Sequence, residues 1–224
     1  MSENVIVVAP HADDETLGCG GTLLRHRAKG DTAHWLLVTD IPKGKSFGSI
    51  EAEDREREIE QLTGLLGFDS VHRLGFPPAG LDSVPMLDLT GRVSEVIRDI
   101  EPTTLYLPFP GDAHSDHGIV FRAASAAAKW FRYPSIHSVR LYETLSETNF
   151  NIDPTQATFR PNYYVDVSDH IGKKLQALAI FASEMGAHPF PRSPDAVRAL
   201  ATLRGSESGV AAAEAFVVLK QVEK

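Results

Sequence analysis

A chain of 224 residues with 30 acidic and 22 basic side chains carries a formal charge of −8, which excludes a protein that follows a nucleic-acid backbone along a basic stripe. Its 42% hydrophobic and 23% charged content is ordinary for a globular protein, and it has no apolar run long enough for stable membrane insertion and no leader-like start. One cysteine, Cys19, cannot close an internal disulfide, so the expected setting is cytoplasmic and the expected organisation one domain over 1–224.

In chain order, apolar periodicity and glycine stops predict a strand at 4–9, a helix at 16–29 ended by Gly30 and a strand at 34–39. A helix at 52–66 ended by Gly67, a strand at 70–74 and a helix at 88–100 follow, then a strand at 104–108 and a helix at 117–131. Further on, strands at 139–141, 163–167 and 215–219 and helices at 173–183 and 194–203 are expected. Strands that alternate with helices imply an α/β fold with a mostly parallel sheet. The mixed-sign run from Glu51 to Glu60 reads as a solvated helix face backed by Ile59, Leu62, Leu65 and Leu66.

Two strand ends carry the chemistry. The run Val5 to Val8, β-branched and without polar alternation, reads as a central strand buried on both faces, and it stops in Pro10-His11-Ala12-Asp13-Asp14-Glu15. An imidazole and three carboxylates in five positions repel in a poorly solvated cleft unless a cation holds them, and His with Asp suits Zn²⁺. Adjacent side chains diverge, so one of Asp13 and Asp14 binds metal while the other faces water. The competing reading is an Asp-rich turn that caps a helix. A second strand, Leu105 to Leu107, ends likewise in Asp112-Ala113-His114-Ser115-Asp116-His117, which places two imidazoles at a helix entrance.

Pro10-His11-Ala12-Asp13-Asp14-Glu15-Thr16-Leu17-Gly18-Cys19-Gly20-Gly21 with His114-Ser115-Asp116-His117 resembles the PIG-L/LmbE family of metal-dependent de-N-acetylases. The likeness runs through Arg140-Leu-Tyr-Glu-Thr-Leu-Ser-Glu-Thr148 to Gly209-Val-Ala-Ala-Ala-Glu-Ala-Phe216. It departs at Ala12, where proline is commoner, and at Asp40-Ile41-Pro42, where a glycine is usual. The resemblance implies a Rossmann-like three-layer fold with the active site at the carboxyl ends of the strands. It also implies a metal site of His11, Asp14 and His117 holding Zn²⁺, with Fe²⁺ as the other candidate. The substrate it implies is a small-molecule N-acetylated amino sugar or its conjugate.

In the chemistry expected of such a site, Asp13 is general base and His114, held by Asp116 and protonated, supports the oxyanion. Arg55, with Glu58 one helical turn on, matches an arginine near the family's substrate and could fork onto a phosphate or hydroxyl; an ordinary helix-face ion pair explains it nearly as well. Asp112 reads as holding the loop before His114 or, equally well, as a turn residue, Cys19 reads as a packing residue, and His26, His34, His72, His137, His170 and His188 as lacking a paired carboxylate. The competing function is a nucleotide-binding module in which Gly18, Gly20 and Gly21 cradle a phosphate, with Asp40 as the ribose acid. A homo-oligomer is open on this sequence.

Overall fold

The computed structural model describes residues 2–223. Strand β1 (Asn4–Ala9) lies between β2 (Thr32–Thr39) and β6 (Thr104–Pro108), parallel to both. Beyond β2 runs β5 (Ser70–Phe76), and beyond β6 runs β7 (Ser138–Tyr142), again parallel. The far edge is antiparallel: β9 (Ala213–Gln221) pairs with β7 and with β8 (Tyr163–Asp166), giving the order β5-β2-β1-β6-β7-β9-β8. The α/β class with a mostly parallel sheet is therefore observed.

Alternation along β1 explains why its sequence shows none. Val5, Val7 and Ala9 enter a core with Leu23 of helix α1 (Asp14–Lys29) and with Ile59, Leu62 and Leu66 of helix α2 (Ala52–Leu66). Ile6 and Val8 enter the opposite core, with Leu89, Val93 and Ile97 of helix α3 (Met86–Ile100) and Ile119 and Val120 of helix α4 (Ser115–Ser125). Both pleat faces meet helices, so both must be apolar. Helices α5 (Ile171–Leu178) and α6 (Pro194–Ser208) complete the first side.

Helix α1 begins two residues earlier than its pattern predicts, with Asp14 and Glu15 already in its first turn, and ends at Gly30 in the left-handed conformation. Helix α4 is shorter than predicted: it tightens into a 3-10 turn at Ala126–Ala128. A continuation to 131 would carry the chain towards Pro134, which disfavours helix in the residue before it. A two-stranded hairpin, β3 (Ser46–Phe47) and β4 (Ile50–Glu51), has no counterpart in the sequence reading.

The glycines of α1 lie inside the helix, where other elements press against it. A Cβ at Gly18 would stand 2.3 Å from the Tyr142 ring, and one at Gly21 2.7 Å from Val167. Glu214 of β9 accepts from the N–H groups of Gly21 (2.8 Å) and Thr22 (2.7 Å), while Lys174 of α5 donates to Leu17 O (2.7 Å) and pairs with Glu214 (2.6 Å). These backbone groups bind a buried ion pair and the glycines admit neighbours. A phosphate cradle would need them at the strand-to-helix turn, so the nucleotide reading loses its main support.

Candidate active site and metal centre

Because β1 and β6 are adjacent and parallel, their carboxyl ends deliver both ionisable knots to one place. It is the position where successive connections leave the sheet in opposite directions, the crevice in which open α/β sheets bind ligands. The rings of His11 and His114 lie 4.4 Å apart, centre to centre, and each is 5.6 Å from that of His117.

One oxygen, Asp14 Oδ2, sits at the middle. It accepts from the His11 amide (2.9 Å), and it faces His11 Nδ1 at 3.2 Å and His117 Nε2 at 3.3 Å. Each imidazole has its other nitrogen on a second carboxylate: His117 Nδ1 on Asp112 at 2.7 Å, His11 Nε2 on Asp116 at 3.1 Å. Burial acts to raise the Asp14 pKa, yet His117 and His11 hold it well below the usual carboxylate range. Burial likewise opposes charge on both rings, but the carboxylates lift His11 to about 9 and His117 to about 10. The central anion thus requires positive charge on two sides.

His11, Asp14 and His117 offer donor atoms within 4.8 Å of one another, and a divalent ion fits them. His117 Nε2 faces Asp14 Oδ2 but is buried and makes no hydrogen bond, a state that costs free energy unless a cation takes the place between them. The paired carboxylates fix each ring's tautomer and turn its free nitrogen inward, as metal-bound histidines require. His11, His114 and Asp116 also come within that distance. There, however, Asp116 is engaged by the amides of Ala79 (2.9 Å) and Leu81 (3.3 Å) as well as by His11.

The PIG-L model, described as GlcNAc-PI de-N-acetylase, matches residues 6–128. The chain belongs to the PIG-L family. It is 26% identical over 214 residues to a diacetylchitobiose deacetylase of Thermococcus kodakarensis, covering 92% of this chain and 79% of that one. It is 23% identical over 192 residues to a probable N-acetyl-alpha-D-glucosaminyl L-malate deacetylase 2 of Bacillus anthracis, 81% of each. The crystal structure of the conserved protein TT1542 from Thermus thermophilus superposes with a TM-score of 0.76 at 28% identity, covering 99% of this chain and 97% of that one.

Within this PIG-L fold Asp13 does not cap α1, although it occupies the cap position. Its backbone is held at φ 144°, a region L-residues rarely adopt, and its carboxylate is turned away to Arg192, whose Nη1 donates to Oδ2 at 2.6 Å. Burial pushes its pKa up to about 7 against the pull of Arg192. Arg192 also meets Ser146 (2.8 Å), Glu147 (3.3 Å) and Glu184 (3.5 Å). Sequence reading missed Arg192 and Glu184. Arg192 sits in a proline-rich stretch, His188 to Pro194, whose pattern aims no side chain at Asp13.

Two placements differ from expectation. Asp116 does not hold the His114 ring with its carboxylate; its backbone N–H donates to His114 Nδ1 (3.2 Å), while the carboxylate orients His11. Burial and the neighbouring His11 and His117 lower the His114 pKa, which favours the neutral ring. With Nδ1 accepting, the ring proton is on Nε2. Asp112 is not merely a turn residue but the partner of His117. Cys19 is fully buried, in keeping with a packing role.

A cleft of about 170 Å³ opens above this cluster, lined by His11, Asp13, His114, Arg55 and Arg192. The guanidinium of Arg55 is spoken for: it reaches Glu184 (2.9 Å), Glu58 (3.2 Å) and Ala12 O (3.1 Å) and lies over the Phe181 ring. Phe47 and Ile50 of the β3–β4 hairpin supply an apolar wall. Among the described residues no helix is long and apolar enough to cross a membrane.

Proposed function

We propose that this chain hydrolyses the acetamide of an N-acetylated amino sugar or its uncharged glycoside, releasing a free amine and acetate. Its divalent ion is held by His11, Asp14 and His117, with Zn²⁺ first and Fe²⁺ second among ions suited to two imidazoles and a carboxylate. The observation that carries this reading is the buried His117 Nε2, without a hydrogen bond and facing Asp14, beneath a cleft lined by Asp13 and His114. When bound, such an ion polarises a carbonyl and acidifies water, the two requirements of amide hydrolysis near neutral pH.

Asp13 takes the proton of the attacking water as the new C–O bond forms and returns it to the nitrogen as the C–N bond breaks. His114 donates from Nε2 to the oxyanion, a contribution typically of about 2.7–4 kcal/mol. Arg192 fixes the Asp13 carboxylate in line with the cleft. Asp112 and Asp116 set the tautomers of His117 and His11.

Charge supports an uncharged substrate. Arg55 and Arg192, the cations on the cleft wall, are already met by Glu58, Glu184, Glu147 and Asp13. A phosphate near them would compete with carboxylates that already hold those cations, so Arg55 is read as a positioning residue for the cleft wall, not as an anion fork. Acetate release from a panel of N-acetylglucosamine glycosides, sugar phosphates and sugar nucleotides tests the reading. Neutral glycosides should be cleaved fastest; rapid cleavage of a phosphorylated sugar alone would overturn the charge argument. The variant Asp13→Asn should keep its metal and lose about 10²–10⁴-fold in kcat, and an unchanged kcat would remove Asp13 from the reaction.

A further inference from the structure

A second cavity, of about 230 Å³, lies at the opposite end of α1 from the metal ligands, between that helix and strands β6, β7 and β8. Its wall includes Arg140 of β7, a residue of the stretch that resembles the family and that the catalytic reading leaves unused. Arg140 is only 6% exposed, and among the described residues no carboxylate forms an ion pair with it. Its Nε donates to Ser138 Oγ (3.0 Å) and its Nη1 to Tyr106 Oη (3.0 Å), both neutral oxygens. The Tyr163 ring covers its face, with the guanidinium carbon 4.2 Å from the ring centre. Asp31 is reached only through a relay: Tyr106 Oη donates to His26 Nε2 (2.9 Å), and His26 Nδ1 donates to Asp31 (2.7 Å). A buried charge with no direct counter-ion is costly, and proteins ordinarily pair it.

The same wall carries an independent sign of a missing partner. Thr22 is 1% exposed, lines the cavity, and its Oγ1 makes no hydrogen bond. Arg25 and Lys29, one and two turns further along α1, add positive charge, and Arg25 is steadied by donating to Asp166 O (2.6 Å). The two acids on the lining are engaged elsewhere, Glu3 by the Thr104 hydroxyl (3.2 Å) and Asp166 by Ser168 (2.6 Å). What remains on the lining is a set of donors from two elements: the Arg140 guanidinium of β7, and from α1 the buried Thr22 hydroxyl and the peripheral cations Arg25 and Lys29. We propose that this cavity binds the phosphate group of a small phosphorylated metabolite, with Arg140 and Thr22 Oγ1 as its buried donors. Four acceptor oxygens in a tetrahedron suit donors that converge from different directions, as a planar carboxylate does not.

Calorimetric titration of the metal-loaded protein with inorganic phosphate, in a zwitterionic buffer, tests the assignment. One saturable site per chain is expected. Thr22→Val keeps the side-chain shape and should weaken binding about tenfold while leaving the melting temperature in phosphate-free buffer unchanged or higher, since it removes an unbonded hydroxyl. Arg140→Lys should weaken binding further, and His117→Ala should leave it intact because the metal centre is at the other end of the helix. No saturable heat at millimolar phosphate, affinity indifferent to Thr22→Val, or binding lost with His117→Ala would each overturn the proposal. Malonate binding as tightly as phosphate would overturn the phosphate assignment as well.

Discussion

Arg192 donates to Asp13 over 2.6 Å although 179 positions separate them in the chain. The contact joins the loop after α5 to the carboxyl end of β1, and it is what turns the Asp13 side chain out of a capping geometry towards the cleft. A carboxylate so placed, beside the proposed metal ligands but not among them, is in position to move a proton.

Loss of the guanidinium should therefore act on turnover. In Arg192→Gln, kcat for a neutral N-acetyl glycoside is expected to fall about 10–100-fold, the value of one charge-assisted hydrogen bond, with metal content unchanged. Steady-state kinetics and metal analysis on the same preparation check this. A fall confined to KM would assign Arg192 to substrate binding instead.

The pairing of each inward-facing imidazole with its own carboxylate leads to a second expectation. Asp112 bonds His117 at 2.7 Å and is itself held by Thr148 (2.6 Å), so Asp112→Asn disturbs the tautomer without touching a metal-binding atom. Metal affinity, measured by competition with a chelator, should drop about 10–100-fold. His117→Ala should lose stoichiometric metal outright. An Asp112→Asn protein with wild-type affinity would make that carboxylate a loop fastener only.

Why the two knots were legible and Arg192 was not is a matter of range. His11, Asp13 and Asp14 follow the end of β1, and His114 and His117 follow the end of β6 at the entrance of α4, so local pattern sets their position, and adjacency of β1 and β6 does the rest. Asp116 was legible as a member of the site but not in its bond, because a helix entrance sends its carboxylate to His11 and only its amide to His114. Arg192 and Glu184 are on an aperiodic loop whose path depends on packing, and the 46–51 hairpin is too short to show alternation. His26 escaped as well: its carboxylate, Asp31, is five residues on and across the Gly30 turn.

The glycines of α1 make a packing prediction. Gly21→Ala puts a methyl 2.7 Å from Val167 Cγ1 and 3.2 Å from Glu214 Oε1, and overpacking of this kind costs about 1–3 kcal/mol. Gly91, exposed within α3, meets nothing within 4 Å, so Gly91→Ala should instead stabilise by about 0.4–1 kcal/mol. Urea titrations of the two variants should shift in opposite directions. A Gly21→Ala protein as stable as wild type would mean that the β8–α5 turn and β9 can move away from α1.

The relay beneath the sheet sets a pH dependence of stability away from the metal centre. Burial lowers the His26 pKa from its ordinary 6.5, against the bond to Asp31. Burial alone would raise Asp31, but His26 and the Glu3 amide bring it below 3.8. Both groups thus bind protons less readily folded than unfolded. Stability from them is complete above pH 6.5 and declines as pH falls, first through His26 and then, in the acid range, through Asp31. His26→Gln can still donate to Asp31 and accept from Tyr106, yet cannot be protonated. With the metal site loaded in both proteins, the unfolding free energy of wild type should fall more steeply than that of His26→Gln between pH 7 and pH 5. Parallel curves would show that His26 does not titrate differently in the folded chain.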